Sequence, residues 1–168
     1  MNEIMHSQAA EFIKLMKNKL KFRYFLFLKL PSAFFSGLRI EGLDEEKCTV
    51  KVPYVWFTRN PFRSTYFASL SMAAEMSTGV LALAHIHKRN PSISMLVTKM
   101  EALYYKKAIS STLFTCDQGK QILECIENAV NSNQGQNITV KSTGSNREGE
   151  KVAEFFITWS FKARSKTR

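Results

Sequence analysis

Cysteine, glycine and proline are all scarce in this sequence. Its 168 residues include three cysteines, seven glycines and four prolines. Cys48, Cys116 and Cys125 form no Cys-x-x-Cys pair and cannot all pair within the chain, so we expect reduced, structural thiols. The sequence also contains no repeat, linker or low-complexity segment. Together with an ordinary hydrophobic content of 45%, these absences predict one domain over residues 1–168, and the helix and strand patterns given below make it α+β.

Uninterrupted hydrophobic runs are absent near the N-terminus. The first 20 residues carry two glutamates and three lysines, so we expect no signal peptide. Residues 20–30 are rich in Phe and Leu, but three basic residues interrupt them, and the segment is too short to span a bilayer. We therefore predict a cytoplasmic protein without a membrane span.

Acidic residues are outnumbered. The 24 Lys and Arg against 14 Asp and Glu give a net charge of +10. This excess makes an anionic partner plausible, and nucleic acid, a membrane surface and a phosphate-bearing molecule fit it equally well. Part of it falls in a basic C-terminal tail, at about residues 163–168, which is a common solubilising feature.

The order of helical and strand patterns predicts a leading helix, a long middle helix and an antiparallel set of strands. Pro31 ends the leading helix, and Ser64 or Thr65 could cap the middle one. The predicted helices span about residues 7–29, 64–85 and 118–132. The predicted strands span about residues 38–40, 48–55, 93–106, 110–116, 137–144 and 150–163, with turns at residues 42–45 and 146–149.

The middle helix is notable for its lack of charge. Between Ser64 and Ala84 the one residue charged at neutral pH is Glu75. A surface helix needs a polar stripe, so a helix of this composition is expected to be sheathed by protein. A carboxylate there must be paired, hydrogen-bonded or shifted upward in pKa, and shifted carboxylates are frequent in active sites. The alternatives are a structural ion pair with a neighbouring strand or a place in a subunit interface.

Other chemistries lack their signatures. His85 and His87 have no Asp, Glu or Cys nearby, so we predict no metal site and no cofactor. The serines at the helix start lie in no Gly-x-Ser-x-Gly motif, which argues against a serine hydrolase. Signature RNA-binding motifs are absent, so nucleic acid is not the expected partner.

The region around the middle helix resembles a known superfamily. Residues 56–68, continuing to Ala73-Ala74-Glu75, are similar to the hotdog-fold thioesterases, and most of all to their uncharacterised thioesterase-like branch. Asn60 matches the superfamily's Asn, Tyr66 to Ala68 its helix start, and Glu75 its acid. The resemblance covers roughly residues 31–162 and implies a hotdog fold, in which an antiparallel sheet wraps around a long central helix.

The chain departs from the superfamily at two points. Tyr66-Phe67-Ala68 replaces the His-Gly-Gly that phenylacetyl-type enzymes carry at the helix start. The loss of two glycines leaves less room for a thioester to approach the backbone. Residues 118–132 insert a helix into what is usually a continuous strand meander.

The resemblance implies hydrolysis of a thioester of CoA or of an acyl carrier protein. Backbone N–H groups of Tyr66, Phe67 or Ala68 would polarise the carbonyl, Glu75 would act as general base or nucleophile, and Asn60 would orient water or substrate. A homodimer or higher even oligomer would close the cleft. The candidates for binding CoA phosphates are Arg59, Arg63, Lys99, Lys106 and Lys107. The alternatives are a non-catalytic module that binds acyl chains or CoA, and a basic protein that docks on a membrane or nucleic acid.

Overall fold

The computed structural model describes residues 2–164, with side chains from residue 7 onward. Residues 165–168 of the predicted basic tail lie outside this range. The helices are α1 (Asn2–Lys17), α2 (Lys19–Lys29), α3 (Pro31–Phe35), α4 (Phe67–Ile86) and α5 (Gly119–Ser132). The strands are β1 (Arg39–Leu43), β2 (Cys48–Val52), β3 (Ile93–Tyr104), β4 (Thr112–Cys116), β5 (Gln136–Ser145) and β6 (Lys151–Ala163).

The strands form one antiparallel sheet in the order β1-β2-β4-β5-β6-β3. Its inner face follows from the alternation along the C-terminal part of β6, where Phe155, Ile157, Trp159 and Phe161 are all buried. The short strand β1 and the long strand β3 are the two edges of the sheet. The α+β class and the antiparallel sheet around a central helix agree with the fold expected from the sequence.

Helix α4 lies against the inner face of this sheet and forms most of the core with it. Its hydroxyl groups are satisfied there, since Ser77 and Ser142 share a hydrogen bond of 2.7 Å between their Oγ atoms. The indole Nε1 of Trp159 donates to Thr78 Oγ1 at 3.0 Å. In residues 2–164, α4 alone is long and apolar enough to cross a membrane, but 67% of its most apolar window is buried, as in a core helix.

Several predicted boundaries are wrong. The helix predicted over residues 7–29 is two helices, because Asn18 starts a new one: its Oδ1 accepts from the backbone N of Lys21 at 3.1 Å. The central helix begins at Phe67, and neither Ser64 nor Thr65 caps it. Thr65 instead pairs with another loop, since its backbone N donates to the carbonyl of Ala108 at 2.7 Å.

The first turn of the sheet is also displaced. It lies two residues beyond the predicted 42–45, because Asp44 Oδ1 accepts from the backbone N of both Glu46 and Lys47. Strand β2 ends at Val52, not at residue 55, since residues 56–58 form a 3-10 turn.

Candidate active site

Glu75 lies at the middle of α4 with its carboxylate turned toward the sheet. A Cβ atom placed on Gly79 would meet Glu75 Oε1 at 3.0 Å and the Trp159 ring at 3.3 Å, so both side chains fill the space beside this glycine. Burial raises the pKa of the Glu75 carboxyl above its usual value. Within the described residues, this carboxylate has neither a hydrogen-bond nor an ion-pair partner. The structural ion pair considered as an alternative is therefore not formed among residues 7–164.

The N-terminus of α4 offers two backbone donors. Tyr66 does not supply one, because its N–H already donates to the carbonyl of Thr58 at 2.7 Å. No side chain caps the helix, and the N–H groups of Phe67 and Ala68 have no acceptor among residues 2–164. These two donors add to the positive end of the helix dipole, which favours an anion or a developing negative charge.

Asn60 organises the loop that leads into α4. Its Oδ1 accepts from the backbone N of Phe62 at 3.0 Å, from the backbone N of Ser64 at 3.1 Å and from Ser64 Oγ at 3.2 Å. The carbonyl oxygen is thus fully used inside the loop. Of this side chain, the amide nitrogen is the group left to face a ligand, and its role in orienting water or substrate stays a prediction.

A pocket of about 570 Å³ opens at the start of α4. Five of the residues predicted from the sequence line it: Asn60, Tyr66, Phe67, Lys106 and Lys107. Neither Ala68 nor Glu75 lines it. Glu75 is about eight residues into the helix, roughly 12 Å from the free N–H groups at ~1.5 Å per residue.

The predicted phosphate-binding cations divide into two groups. Arg59 and Arg63 line a second pocket of about 260 Å³ that also includes Asn60, so they flank the same loop. Lys106 is held by Glu150 at 2.6 Å, whereas Lys107 has no ion-pair partner within the described residues. Lys99 lies on β3, pairs with Glu101 at 3.1 Å, and lines neither of these pockets.

Tyr104 is a site residue that the sequence did not reveal. It lines the large pocket at the end of β3, and burial raises the pKa of its hydroxyl, while a hydrogen bond with the Ser71 side chain lowers it in part. Ser71 precedes Glu75 by one helical turn, so Tyr104 links the pocket to the helix face that carries Glu75. No sequence pattern could have shown a contact between residues this far apart.

An antiparallel sheet packed around a long central helix is the hotdog fold, and structural comparison agrees. A Pseudomonas aeruginosa protein of unknown function, described as a probable thioesterase, superposes with a TM-score of 0.74 at 20% identity, over 84% of this chain and 93% of its own. A Haemophilus influenzae thioesterase gives 0.64 at 11% identity, over 84% and 90%. A Staphylococcus aureus thioesterase gives 0.60 at 12% identity, over 77% and 97%. At these identities the likeness shows the fold.

The chain belongs to the DUF4442 family, a domain of unknown function whose profile matches residues 19–161. None of the curated proteins matches the sequence. The hotdog fold and the uncharacterised family, both expected from the resemblance, are confirmed.

Proposed function

We propose that this protein hydrolyses the thioester of an acyl-CoA or an acyl carrier protein, with Glu75 as general base or nucleophile. The observation that carries the proposal is the partly buried carboxylate of Glu75, which has a raised pKa and no partner among residues 7–164. A carboxylate kept uncompensated in a core helix costs stability, and such a cost is typical of a catalytic group. A pKa moved toward neutrality also suits a general base.

The oxyanion would be bound by the free N–H groups of Phe67 and Ala68. They carry the positive end of the α4 dipole and open beside the large pocket. The separation of roughly 12 Å between them and Glu75, at ~1.5 Å per residue, exceeds the reach of one thioester group. We therefore place each site between two protomers, where the helix start of one protomer faces Glu75 of the other.

The exposed edge of the sheet supports such a homodimer or even-numbered oligomer. Strand β3 has 12 residues and an unpaired edge, and Leu96 on it is 66% exposed. A long apolar edge strand is a template for pairing with another chain. Pairing of β3 with its copy would satisfy both edges and extend the sheet across the dimer.

The spacing of Asn60 and Glu75 supports their joint role. In two mutants of the Staphylococcus aureus protein, a glutamate and a glutamine fifteen positions before it were each replaced by alanine. Asn60 and Glu75 are separated by the same interval. Asn and Gln carry the same amide group, so the Asn60 amide nitrogen is suited to orient the substrate or water.

The nucleotide phosphates of CoA would be bound by cations around the helix start. Within the described residues, Arg59, Arg63 and Lys107 have no ion-pair partner, so all three are available to bind an anion. Lys106 could exchange Glu150 for a phosphate. Lys99 could bind a phosphate only if the CoA portion of a substrate held by the partner protomer extended along β3.

A cytoplasmic setting is part of the same proposal. Cys48 and Cys116 are opposite one another on β2 and β4. Neither they nor Cys125 form a disulfide. Facing cysteines without a disulfide between them are typical of a reducing compartment, which is also where CoA thioesters are expected.

The second candidate is a module that binds acyl chains or CoA without turnover. The observation that favours it is the helix start, where Phe67 is 57% exposed at the position of a superfamily glycine and narrows access to the N–H groups. Binding without hydrolysis would select this candidate.

The deciding experiment is an acyl-CoA hydrolysis screen across chain lengths, with wild type and Glu75→Gln. We expect hydrolysis by wild type and a loss of about 10²-fold or more in the variant, the usual scale for a general base. Glu124→Gln is the matched control, since Glu124 is exposed on α5 and should keep full activity. A folded Glu75→Gln protein with wild-type turnover would exclude the assigned role.

A further inference from the structure

Helix α2 is apolar on two opposite sides. Phe22 and Leu26 face the core and are 3% and 0% exposed. The outward side is formed by residues at helical spacings of four, three and one, all large and exposed: Leu20 (82%), Tyr24 (67%), Phe27 (51%) and Leu28 (54%). Part of this side borders an apolar groove of about 470 Å³ between α1 and α2. A helix of a soluble monomer rarely presents such a side to water.

The outward side continues as an aromatic ridge, which we define as Phe27, Phe34, Phe35, Phe57 and Trp56. Successive ring centroids lie 5.2, 5.3, 6.1 and 6.4 Å apart. Trp56 at its end is 80% exposed. The ridge thus runs from α2 to the loop that leads into α4 and its pocket.

The charge around the ridge has one sign. Residues 12–40 contain seven Lys and Arg and no Asp or Glu, and residues 52–74 contain two and none. On α2, Lys21 and Arg23 flank the outward side, and neither has a carboxylate partner within the described residues. Acidic residues gather instead around a pocket at the other end of α4, which is lined by Asp44, Glu45, Glu46 and Asp117 together with Lys47.

We propose that the outward side of α2 and the aromatic ridge dock on the surface of an anionic phospholipid bilayer. Aliphatic and aromatic side chains would enter the headgroup region, and the flanking cations would pair with lipid phosphates. A second copy of this chain fits less well, because it would bring like charges together. Nucleic acid leaves the exposed Leu20 and Leu28 without a function.

The docked orientation would place the pocket at the start of α4 near the lipid. Phe62 is 75% exposed and lines that pocket with Tyr66 and Phe67, on the loop where the ridge ends. An acyl chain could then pass from bilayer to pocket without crossing water. Lipid docking itself needs no turnover, so its test is independent of the proposed thioesterase activity.

The test is cosedimentation of the full chain with vesicles of phosphatidylcholine alone and of phosphatidylcholine mixed with phosphatidylglycerol. We expect binding to the anionic vesicles only, weakening as salt is raised. The triple variant Leu20→Ser/Tyr24→Ser/Leu28→Ser and the double variant Lys21→Glu/Lys29→Glu should each lower the partition coefficient by at least about 10-fold.

The matched control is Lys47→Glu/Lys120→Glu, which changes the net charge equally at the far end of α4 and should bind as wild type does. Equal binding to both vesicle types, or an equal loss in the control, would overturn the proposal. A smaller molecular mass of the triple variant in light scattering would also overturn it, because this side would then be a subunit interface. So would oligonucleotides that displace the protein from vesicles and still bind the triple serine variant.

Trp56 gives a readout that needs no variant to fold. Brominated lipids in the anionic vesicles should quench its fluorescence, whereas Trp159, 4% exposed, should be unaffected. A Trp56→Phe protein should lose the quenchable signal. Unquenched Trp56 in vesicle-bound wild type would refute this orientation.

Discussion

Replacing Glu75 with Gln should stabilise the protein at neutral pH even as it removes hydrolysis. The Glu75 carboxylate is partly buried beside Gly79 and Trp159, and nothing in the described part of the chain compensates its charge. Gln has nearly the same shape without the charge, so the core loses an unfavourable group and gains no cavity. A residue kept for catalysis at the expense of stability behaves in this way.

The size and the sign of the effect follow from the raised pKa. Because folding raises the pKa of Glu75, the folded chain binds this proton more tightly than the unfolded chain. The stability that protonation contributes is fully present below the pKa of the unfolded chain, and it is lost as pH rises through the pKa of the folded chain. The loss is about 1.4 kcal/mol for each pH unit that separates the two pKa values, roughly 3–6 °C in Tm for a chain of this size. The Gln side chain in Glu75→Gln does not titrate, so the variant does not lose this stability as pH rises.

Thermal unfolding followed by circular dichroism measures this from about pH 4, just below the ordinary glutamate pKa, to about pH 8. The Tm of Glu75→Gln should equal that of wild type at the acidic end and exceed it increasingly as pH rises. Glu124→Gln, at an exposed position, should follow wild type throughout. A variant that is less stable than wild type at neutral pH would refute the reasoning, because it would mean that the Glu75 carboxylate has a stabilising partner. A Tm difference that does not change with pH would refute it equally.

Three further outcomes are expected. Leu96→Asp on the exposed edge of β3 should convert an even oligomer to monomers in light scattering. It should also lower the rate of hydrolysis, because each active site would lose the groups supplied by the partner protomer. A monomeric wild type at micromolar concentration would contradict this. Lys107→Glu should raise KM for acyl-CoA but not for the acyl-pantetheine analogue, and equal KM values of the two substrates for wild type would exclude phosphate binding at this position. Gly79→Ala should lower kcat by displacing the Glu75 carboxylate, because the added Cβ would lie 3.0 Å from Glu75 Oε1 and 3.3 Å from the rigid indole of Trp159. An unchanged kcat in the folded variant would show that Oε1 is not the reacting atom.

Docking on lipid and the dimer proposal concern different surfaces. The ridge lies on α2, α3 and the loop before α4, whereas the proposed dimer uses β3. Two copies paired through β3 could present two basic surfaces, and their membrane affinities would combine if both faced the same bilayer.

Local patterns in the sequence were enough to predict the fold class and the central position of Glu75. The alternation along β6 and the absence of charge around Glu75 are properties of neighbouring residues, and each has a direct structural meaning. The amphipathic pattern of residues 118–132 likewise predicted α5 to within one residue. The boundaries predicted less well, at Asn18 and at Ser64, depend on which of two competing hydrogen bonds a side chain or loop makes.

Sequence patterns alone are enough to show that one carboxylate lies in an uncharged helix, that the preceding loop is basic and aromatic, and that alternating strands follow the helix. The folded structure is needed to show that Tyr66 donates its N–H to Thr58, that Asn60 uses its carbonyl inside its own loop, and that Tyr104 reaches Ser71. Periodicity and charge act over neighbouring residues, whereas hydrogen-bond partners and desolvation are set by segments that meet only when the chain folds.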